Sequence, residues 1–403
     1  MEICDLIAPN QSSKPIRQTM KNIIIATCAT ILVSQAAETV EPSTPPPVKE
    51  SSGQASAKPA VDVVFCLDST ASMGGLIEGA KEKIWSIANG IIGQKPTPSV
   101  RIGLLSYRDR GDAYVTRMFD LTEDIDTVFK NLSSFKAEGG GDGPESVNQA
   151  LHEAVTRMGW SAGKQATKII FLVGDFPPHM DYKDDVKYPV TCETAAKSNI
   201  IINTVQCGKV PFTTPVWQEI AKLAEGSYVA LAQTGGMVAM TTPHDAEIAK
   251  LSAAIGRTSI AYGSVAQKSS VGSKNMDAAK AAPSVAASRA AYNSGTGGRA
   301  IQGRGELLAD MSDGSVDWKS LKKEELPAEM QKMSEAERKD YIGKQRSKRD
   351  KLNQQLGELV RKRNDFIQKE KTRLTKEGKG DAFDLKVEET INEQIKRNAT
   401  GKP

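Results

Sequence analysis

Two short apolar runs, each closely followed by an aspartate, constrain the fold of this chain more than any other feature. The first run is Val61–Leu67, which leads directly into Asp68, and the second is Ala166–Val173, with Asp175 shortly beyond it. Runs of this length and character are typical of strands buried in a parallel sheet. Because ligands of open α/β sheets bind beyond the carboxyl ends of strands, both aspartates are predicted to lie at one functional edge.

The turn after the first run carries oxygen-bearing side chains at alternate positions. Asp68, Thr70 and Ser72 share a tight turn that opens a helical stretch, and alternate residues of such a turn direct their side chains to the same side. Carboxylate and hydroxyl oxygens suit a hard cation such as Mg²⁺. The same residue types also cap helices by accepting hydrogen bonds from the first free N–H groups. This turn by itself leaves helix capping and metal binding open.

A glycine-rich segment, residues 138–145 with the sequence EGGGDGPE, adds further carboxylates. Its glycines permit backbone conformations that other residues rarely adopt, and its proline is suited to begin a helix. The segment places Asp142 and Glu145 beside a flexible backbone. Together with the turn at Asp68 and the strand end at Asp175, it supplies three loops that are predicted to converge on one ion.

These features together resemble the von Willebrand factor type A (vWA) domain with its metal-ion-dependent adhesion site. The turn from Asp68 through Thr70 to Ser72, the glycine-rich segment and Asp175 carry the resemblance, and residues 100–109 resemble the second strand of the family. The resemblance covers about half of the chain. It implies that Asp68, Thr70, Ser72 and Asp175 hold Mg²⁺, or alternatively Mn²⁺ or Ca²⁺. It also implies that an acidic side chain of a protein partner completes the coordination.

The second loop departs from the family pattern, which usually places a threonine there. Asp142 is predicted to take that place, with Glu145 as the second choice. The GGGD-x-PE form resembles the branch that includes the A domain of certain alpha-kinases, although no kinase motif accompanies it here. An added carboxylate would satisfy the cation from within the protein. Metal binding is therefore better supported than capture of a partner, and a site that has lost its ion is the other alternative.

The predicted fold class is α/β, with a doubly wound, mostly parallel six-stranded sheet of Rossmann-like type and one antiparallel edge strand. A short gap containing Gly111 and Asp112 indicates that the second and third strands form a hairpin. The remaining strands alternate with helices, as right-handed crossovers require. Strands are predicted at residues 61–67, 100–107, 114–119, 166–173, 200–206 and 227–231, and helices at residues 75–92, 144–158, 191–198, 215–224 and 244–255.

The beginning of the chain has the pattern of a targeting signal. Residues 1–37 are interpreted as a signal peptide region whose true start is Met20, because a lysine, the short apolar core Ile23–Val33 and small residues follow in that order. The core is too short for a stable membrane anchor. We therefore expect an exported protein, periplasmic or secreted, with no transmembrane anchor in its mature form. Residues 38–60 are rich in Pro and Ser and are predicted to be a linker.

The predicted vWA domain, residues 61–257, is followed by two regions of different composition. Residues 258–304 are rich in Ala, Ser and Gly and are predicted to be a linker, and residues 305–403 a charged helical tail. A capping box at Ser334 and Glu337 begins a helix with one apolar stripe. The stripe is compatible with a coiled-coil seam, which would give a homo-oligomer, or with packing on a return helix or on the vWA domain.

Composition excludes some function classes. The net charge of +4 is too small to argue a nucleic-acid partner, and no phosphate-binding loop is present. The three histidines are scattered, which disfavours a histidine-based zinc site or a histidine-dependent catalytic triad. His179 is predicted to be solvated at the surface, with a place at the border of the cleft as the alternative. The expected function is metal-dependent protein binding by a non-enzyme. The alternatives are a structural envelope protein that associates through its basic tail and, more weakly, a metal-dependent hydrolase.

Export makes the cysteines informative. Cys66 lies within the first strand and is interpreted as a small buried residue. Cys192 begins a predicted helix and Cys207 ends the strand that follows it, so both thiols are expected at one edge of the sheet. A disulfide between them would stabilise the fold by about 3 kcal/mol through loop closure. Two unpaired buried thiols are the alternative.

Overall fold

A six-stranded sheet forms the centre of the computed structural model, which describes residues 59–93, 97–163, 166–234, 240–377 and 382–400. The predicted signal peptide region, residues 1–37, and nearly all of the predicted linker at residues 38–60 lie outside these ranges. None of the helices within the described ranges combines the length and the apolar character that crossing a bilayer requires.

The sheet has the predicted class. Its order is β3-β2-β1-β4-β5-β6, with β3 antiparallel to β2 and every other neighbouring pair parallel. The six predicted strands agree with the structure to within three residues at either end, which confirms a doubly wound fold with one antiparallel edge strand. The strands are β1 (Ala60–Asp68), β2 (Ser99–Tyr107), β3 (Thr116–Thr122), β4 (Thr167–Gly174), β5 (Ile200–Cys207) and β6 (Tyr228–Leu231).

Twelve α-helices occur in the described residues. The five predicted helices are all present, and the structure adds a short helix between β3 and the glycine-rich loop. They are α1 (Gly74–Ile92), α2 (Ile125–Ser133), α3 (Val147–Arg157), α4 (Tyr188–Lys197), α5 (Thr213–Leu223), α6 (Asp245–Gly256), α7 (Val265–Lys280), α8 (Pro283–Gly295), α9 (Leu307–Ser312), α10 (Ala328–Gln331), α11 (Glu335–Lys376) and α12 (Ala382–Thr400).

Helices cover both faces of the sheet. Because side chains alternate along a strand, Val63 and Phe65 of β1 pack towards α1, α2, α8 and α12, whereas Val64 and Cys66 pack towards α3, α4 and α5. Phe65 stacks on Phe171 of β4 with ring centroids 5.6 Å apart. The central strands are thus buried on both sides, as their apolar sequences predict.

The structure differs from the prediction of a linker at residues 258–304. This segment forms α7 and α8, and α8 packs against α1 and α6. Ala287, Ala290 and Ala291 are buried in that contact. Small side chains let helix backbones approach closely without a stripe of large apolar residues, which explains why hydrophobic periodicity did not reveal these helices.

The C-terminal helices pack on the domain that contains the sheet. The capping box between Ser334 and Glu337 is present at the start of α11. Leu356 and Val360 of this helix are buried against α6 and α8, so the central part of the apolar stripe makes contacts within the chain, which agrees with the predicted packing on neighbouring elements. The return helix α12 buries Val387 and Ile391 against the sheet face that α1 also covers. The side chains of Phe383 and Leu385 on this helix lie outside the described part of the chain.

The predicted disulfide between Cys192 and Cys207 is absent. Among the described residues, Cys66, Cys192 and Cys207 are free, buried thiols. Cys192 belongs to the core on the α3–α5 side of the sheet, whereas Cys207 belongs to the core on the α1 side. The prediction was wrong because it placed the two thiols only by their position along the strand direction. In the structure they lie on opposite faces of the sheet.

Buried arginines tie the segments that follow β6 to the rest of the molecule and to one another. Each arginine residue is at most 5% exposed and contacts an acidic residue that is at most 6% exposed. The pairs are Arg289 with Asp126 at 2.6 Å, Arg349 with Glu306 at 2.7 Å, and Arg363 with Asp245 at 2.7 Å. Losing one partner of such a pair leaves an uncompensated charge in a dry environment.

We expect Arg349→Ala to lower the free energy of unfolding by about 3–5 kcal/mol, because Glu306 would remain buried without its cation. Arg361→Ala on the exposed face of α11 is the matched control and should change stability by about 0.5 kcal/mol or less. Urea denaturation followed by circular dichroism measures both. Equal, small effects of the two substitutions would contradict a stabilising role for the buried pair.

Candidate metal-binding site

Asp68, at the end of β1, is fully buried and directs its carboxylate at the turn that follows. The backbone N–H and the hydroxyl of Thr70 both donate to Asp68 Oδ1, at 2.8 and 2.7 Å. The hydroxyl oxygen of Ser72 lies 3.3 Å from that of Thr70. Thr70 precedes the helical turn Ala71–Met73 and makes no side-chain capping hydrogen bond. The three side chains therefore interact with one another, and helix capping does not explain them.

Asp175 lies beside Asp68 because β1 and β4 are neighbours and Leu67 pairs with Val173. It is 2% exposed. Its backbone carbonyl accepts from the Thr213 hydroxyl at 2.9 Å, and its Oδ2 accepts from the Gln233 side chain at 2.8 Å. Neighbouring parallel strands thus place two buried carboxylates at the same point of the sheet edge.

Glu145 is the acidic residue that the glycine-rich loop brings to this pair. Its backbone N–H donates to the Pro177 carbonyl and its carbonyl accepts from the His179 N–H, both at 3.0 Å. These two bonds join the glycine-rich loop to the loop after β4 and bury the Glu145 side chain. Asp142, predicted as the ligand from this loop, is exposed instead and lies 3.6 Å from His179 Nε2.

Gly140 shapes the approach of the glycine-rich loop to the turn. Its φ of +83° lies in the left-handed region that favours glycine, and a Cβ atom there would lie 3.2 Å from the Cβ of Thr70. Its N–H donates to Asp112 at 3.0 Å. The glycine thus allows the loop backbone to lie directly against Thr70, which helps to seat Glu145.

Three carboxyl groups cluster here in a buried place that opposes their ionisation. In the part of the chain that the structure describes, Asp68 Oδ2, Glu145 Oε2 and Asp175 Oδ1 are buried and accept no hydrogen bond. Burial and the neighbouring Asp175 raise the pKa of Asp68 to about 7, against the hydrogen bonds from Thr70. Burial, Asp68 and other nearby carboxylates raise the pKa of Glu145 to about 9. A divalent cation with oxygen ligands would satisfy this demand for positive charge.

His179 differs from its prediction of a solvated histidine. It is 7% exposed, its Nδ1 lies 2.8 Å from Asp181 Oδ1, and its ring stacks on Tyr182. Sequence analysis missed Gln233, Tyr182 and this environment of His179. The spacing of His179 and Asp181 in a loop that follows a buried strand is the signal that could have identified the pair.

Comparison with known proteins identifies a family for the region that contains the sheet. Residues 62–243 match the family model for the von Willebrand factor A domain. A curated ariadne-like RING finger protein of Acanthamoeba polyphaga mimivirus is 24% identical over 158 residues, which are 35% of this chain. The chain spans only 15% of the length of that relative.

Solved structures with a similar region include the protein BatB from Bacteroides thetaiotaomicron, with 17% identity, 43% of this chain and 91% of that chain covered, and a TM-score of 0.33. The VWA domain of SpRpn10 has 16% identity, covers 44% of this chain and 89% of its own, and has a TM-score of 0.34. Proximal thread matrix protein 1 from the mussel byssus has 12% identity, with 44% and 42% of the two chains covered and a TM-score of 0.33.

Asp68 should make the metal-free protein less stable as pH rises. The folded-state pKa of Asp68, about 7, lies above the unfolded value, so the folded state binds more protons between the two pKa values. The free energy of unfolding then falls with pH, by up to about 1.4 kcal/mol per pH unit. In EDTA, Asp68→Asn should make this slope shallower and leave the part that Glu145 contributes through its own raised pKa, whereas Asp365→Asn on exposed α11 should keep the full slope. Parallel pH profiles for the native protein and Asp68→Asn, measured by urea denaturation, would contradict the assignment.

Proposed function

We propose, for a chain whose residues 62–243 form a von Willebrand factor A domain, that it binds another protein through a divalent cation. The observation that carries the proposal is the set of three buried carboxylate oxygens, on Asp68, Glu145 and Asp175, that accept no hydrogen bond from the described residues. Uncompensated buried charge of this kind is costly. A bound cation would offset that cost, which would account for the clustering of Asp68, Glu145 and Asp175.

The side chains that would hold the ion have separate roles. Asp68 and Asp175 would supply negative charge, and Glu145 a further carboxylate oxygen. Thr70 donates its hydroxyl proton to Asp68, so its oxygen lone pairs remain available to a metal. Ser72 is exposed beside it and would border the open side of the site. When bound, Mg²⁺, Mn²⁺ or Ca²⁺ would offer a coordination position to an acidic side chain of the partner.

A role in adhesion or assembly outside the cytoplasm follows from the same proposal and from the signal pattern at residues 1–37, which lie outside the described part of the chain. The function is proposed to be binding and not catalysis. Generic ester and phosphate substrates should accordingly show no turnover with the purified protein in Mg²⁺.

Mg²⁺ should raise the midpoint of thermal unfolding of the native protein relative to EDTA. An ion that binds only the folded state stabilises it by about 2.7 kcal/mol at a hundredfold excess over its dissociation constant. Asp68→Ala should abolish the response, and Asp365→Asn should retain it because that carboxylate is exposed on α11. A shift of equal size in Asp68→Ala would place the ion elsewhere, and no shift in the native protein would contradict the cation site.

Partner binding should depend on the same ion. Immobilised native protein should retain a specific partner from extracellular or periplasmic material in Mg²⁺ and release it in EDTA, and Asp68→Ala should retain none. A triple charge reversal, Lys348→Glu with Arg361→Glu and Lys362→Glu, changes exposed positions of α11 and should leave binding intact. Loss of binding in the triple variant but not in Asp68→Ala would favour association through the basic helical tail.

A further inference from the structure

A second group of potential metal ligands lies beside the Asp68 site and uses different side chains. Asp109 follows β2, Asp142 belongs to the glycine-rich loop, and His179 belongs to the loop after β4; we call these residues the loop triad. His179 Nε2 lies 3.4 Å from Asp109 Oδ2 and 3.6 Å from Asp142 Oδ1. One ligand atom from each residue falls within 4.8 Å of the other two. Three separate loops therefore present one nitrogen and two carboxylates to a common point.

The His179 ring is positioned so that Nε2 faces the two carboxylates. Its Nδ1 lies 2.8 Å from Asp181 Oδ1, and the ring stacks on Tyr182 with centroids 4.1 Å apart and planes 12° from parallel. A carboxylate that accepts from Nδ1–H leaves the lone pair of a neutral imidazole on Nε2. His179 Nε2 is buried and has no hydrogen-bond partner among the residues described. This arrangement is the usual support for a histidine that ligates a metal.

Asp109 is held just as firmly. It is 7% exposed, its Oδ1 accepts from the Ser146 hydroxyl at 2.9 Å, and its Oδ2 accepts from the Tyr182 hydroxyl at 2.8 Å. Arg110 covers the far side of the Tyr182 ring at 4.1 Å from its centroid. Tyr182 thus contacts both Asp109 and His179, which fixes the separation of these two ligand atoms. Asp142 is exposed and leaves the loop triad open to solvent on one side.

We propose that the loop triad binds a transition-metal dication such as Zn²⁺, at a site separate from that of Asp68. Bonds of about 2.1 Å at a tetrahedral angle separate neighbouring ligand atoms by about 3.4 Å, close to the 3.4 and 3.6 Å that separate His179 Nε2 from the two carboxylates. Water would fill the fourth position on the open side. Imidazole favours Zn²⁺ over Mg²⁺, whereas the all-oxygen Asp68 site suits Mg²⁺. The two sites should therefore be distinguishable by the metal that each one prefers.

A proton competes with the metal ion for His179 Nε2. Burial opposes charge on His179, but the hydrogen bond to Asp181 and the charges of Asp109 and Asp142 outweigh it and raise the pKa of the imidazole. An imidazolium would then form ion pairs with the two carboxylates without any metal. Direct measurement of metal binding separates these two occupants, because only one of them needs an added ion.

The experiment titrates Co²⁺ into untagged, metal-free full-length protein at a pH of about 7.5, where competing protonation is reduced. Excess Mg²⁺ is present to fill the Asp68 site. The native protein should bind one Co²⁺ with the visible absorption of a low-coordinate complex, and Zn²⁺ should displace it. Asp68→Asn should bind Co²⁺ equally well, which makes failure of the loop triad distinguishable from failure of the Asp68 site. Absence of Co²⁺ binding by the native protein would overturn the proposal in favour of the imidazolium.

Matched variants locate the ion. His179→Asn should abolish the Co²⁺ absorption, and His152→Asn on α3 should preserve it. Asp181 is exposed and supports His179 from outside the site, so Asp181→Asn should fold normally and weaken binding by about 10–100-fold. Asp142→Asn, also at an exposed position, tests a direct ligand even if His179→Asn fails to fold. Unchanged Co²⁺ affinity in both Asp142→Asn and Asp181→Asn would overturn the assignment to the loop triad.

Discussion

Two carboxylates are buried side by side at the carboxyl ends of the strands, and the arrangement of the surrounding loops depends on this constraint. Asp68 and Asp175 follow neighbouring parallel strands whose register brings them to the same level. Like charges held together in a desolvated place repel each other. The donors of Thr70 and Gln233 relieve part of that repulsion, and Glu145 adds to it. The loops therefore surround a cluster of carboxyl groups whose negative charge a cation with oxygen ligands would neutralise.

The helices after β6 are held to the sheet and to one another by buried contacts. Arg289 pairs with Asp126 on α2, and Arg363 pairs with Asp245 at the start of α6. The α12 helix completes the cover of the sheet face that α1 begins. The helices from α6 to α12 are thus part of the same packed body as the sheet.

Sequence reasoning was accurate where local pattern decides structure and failed where packing decides it. The apolar strands and the turn from Asp68 to Ser72 were predictable because the burial of a strand and the chemistry of a turn depend on residues that are adjacent in the sequence. The choice between Asp142 and Glu145 was not, since it depends on the hydrogen bonds that Glu145 makes to the loop after β4. The environment of His179 was missed for the same reason, because Tyr182 and Asp109 reach it from different loops.

The residues alone were enough to predict the six strands, the five helices that accompany them, the position of the aspartates at strand ends and the α/β class, because each follows from periodicity and spacing within a short segment. Tertiary packing sets which face of the sheet each thiol occupies, makes helices of the alanine-rich segment, and selects the acidic side chain that accompanies Asp68. These outcomes depend on contacts between segments far apart in the chain. The residues alone predicted a cation site, but the burial that makes a bound cation strongly favourable exists only in the folded molecule.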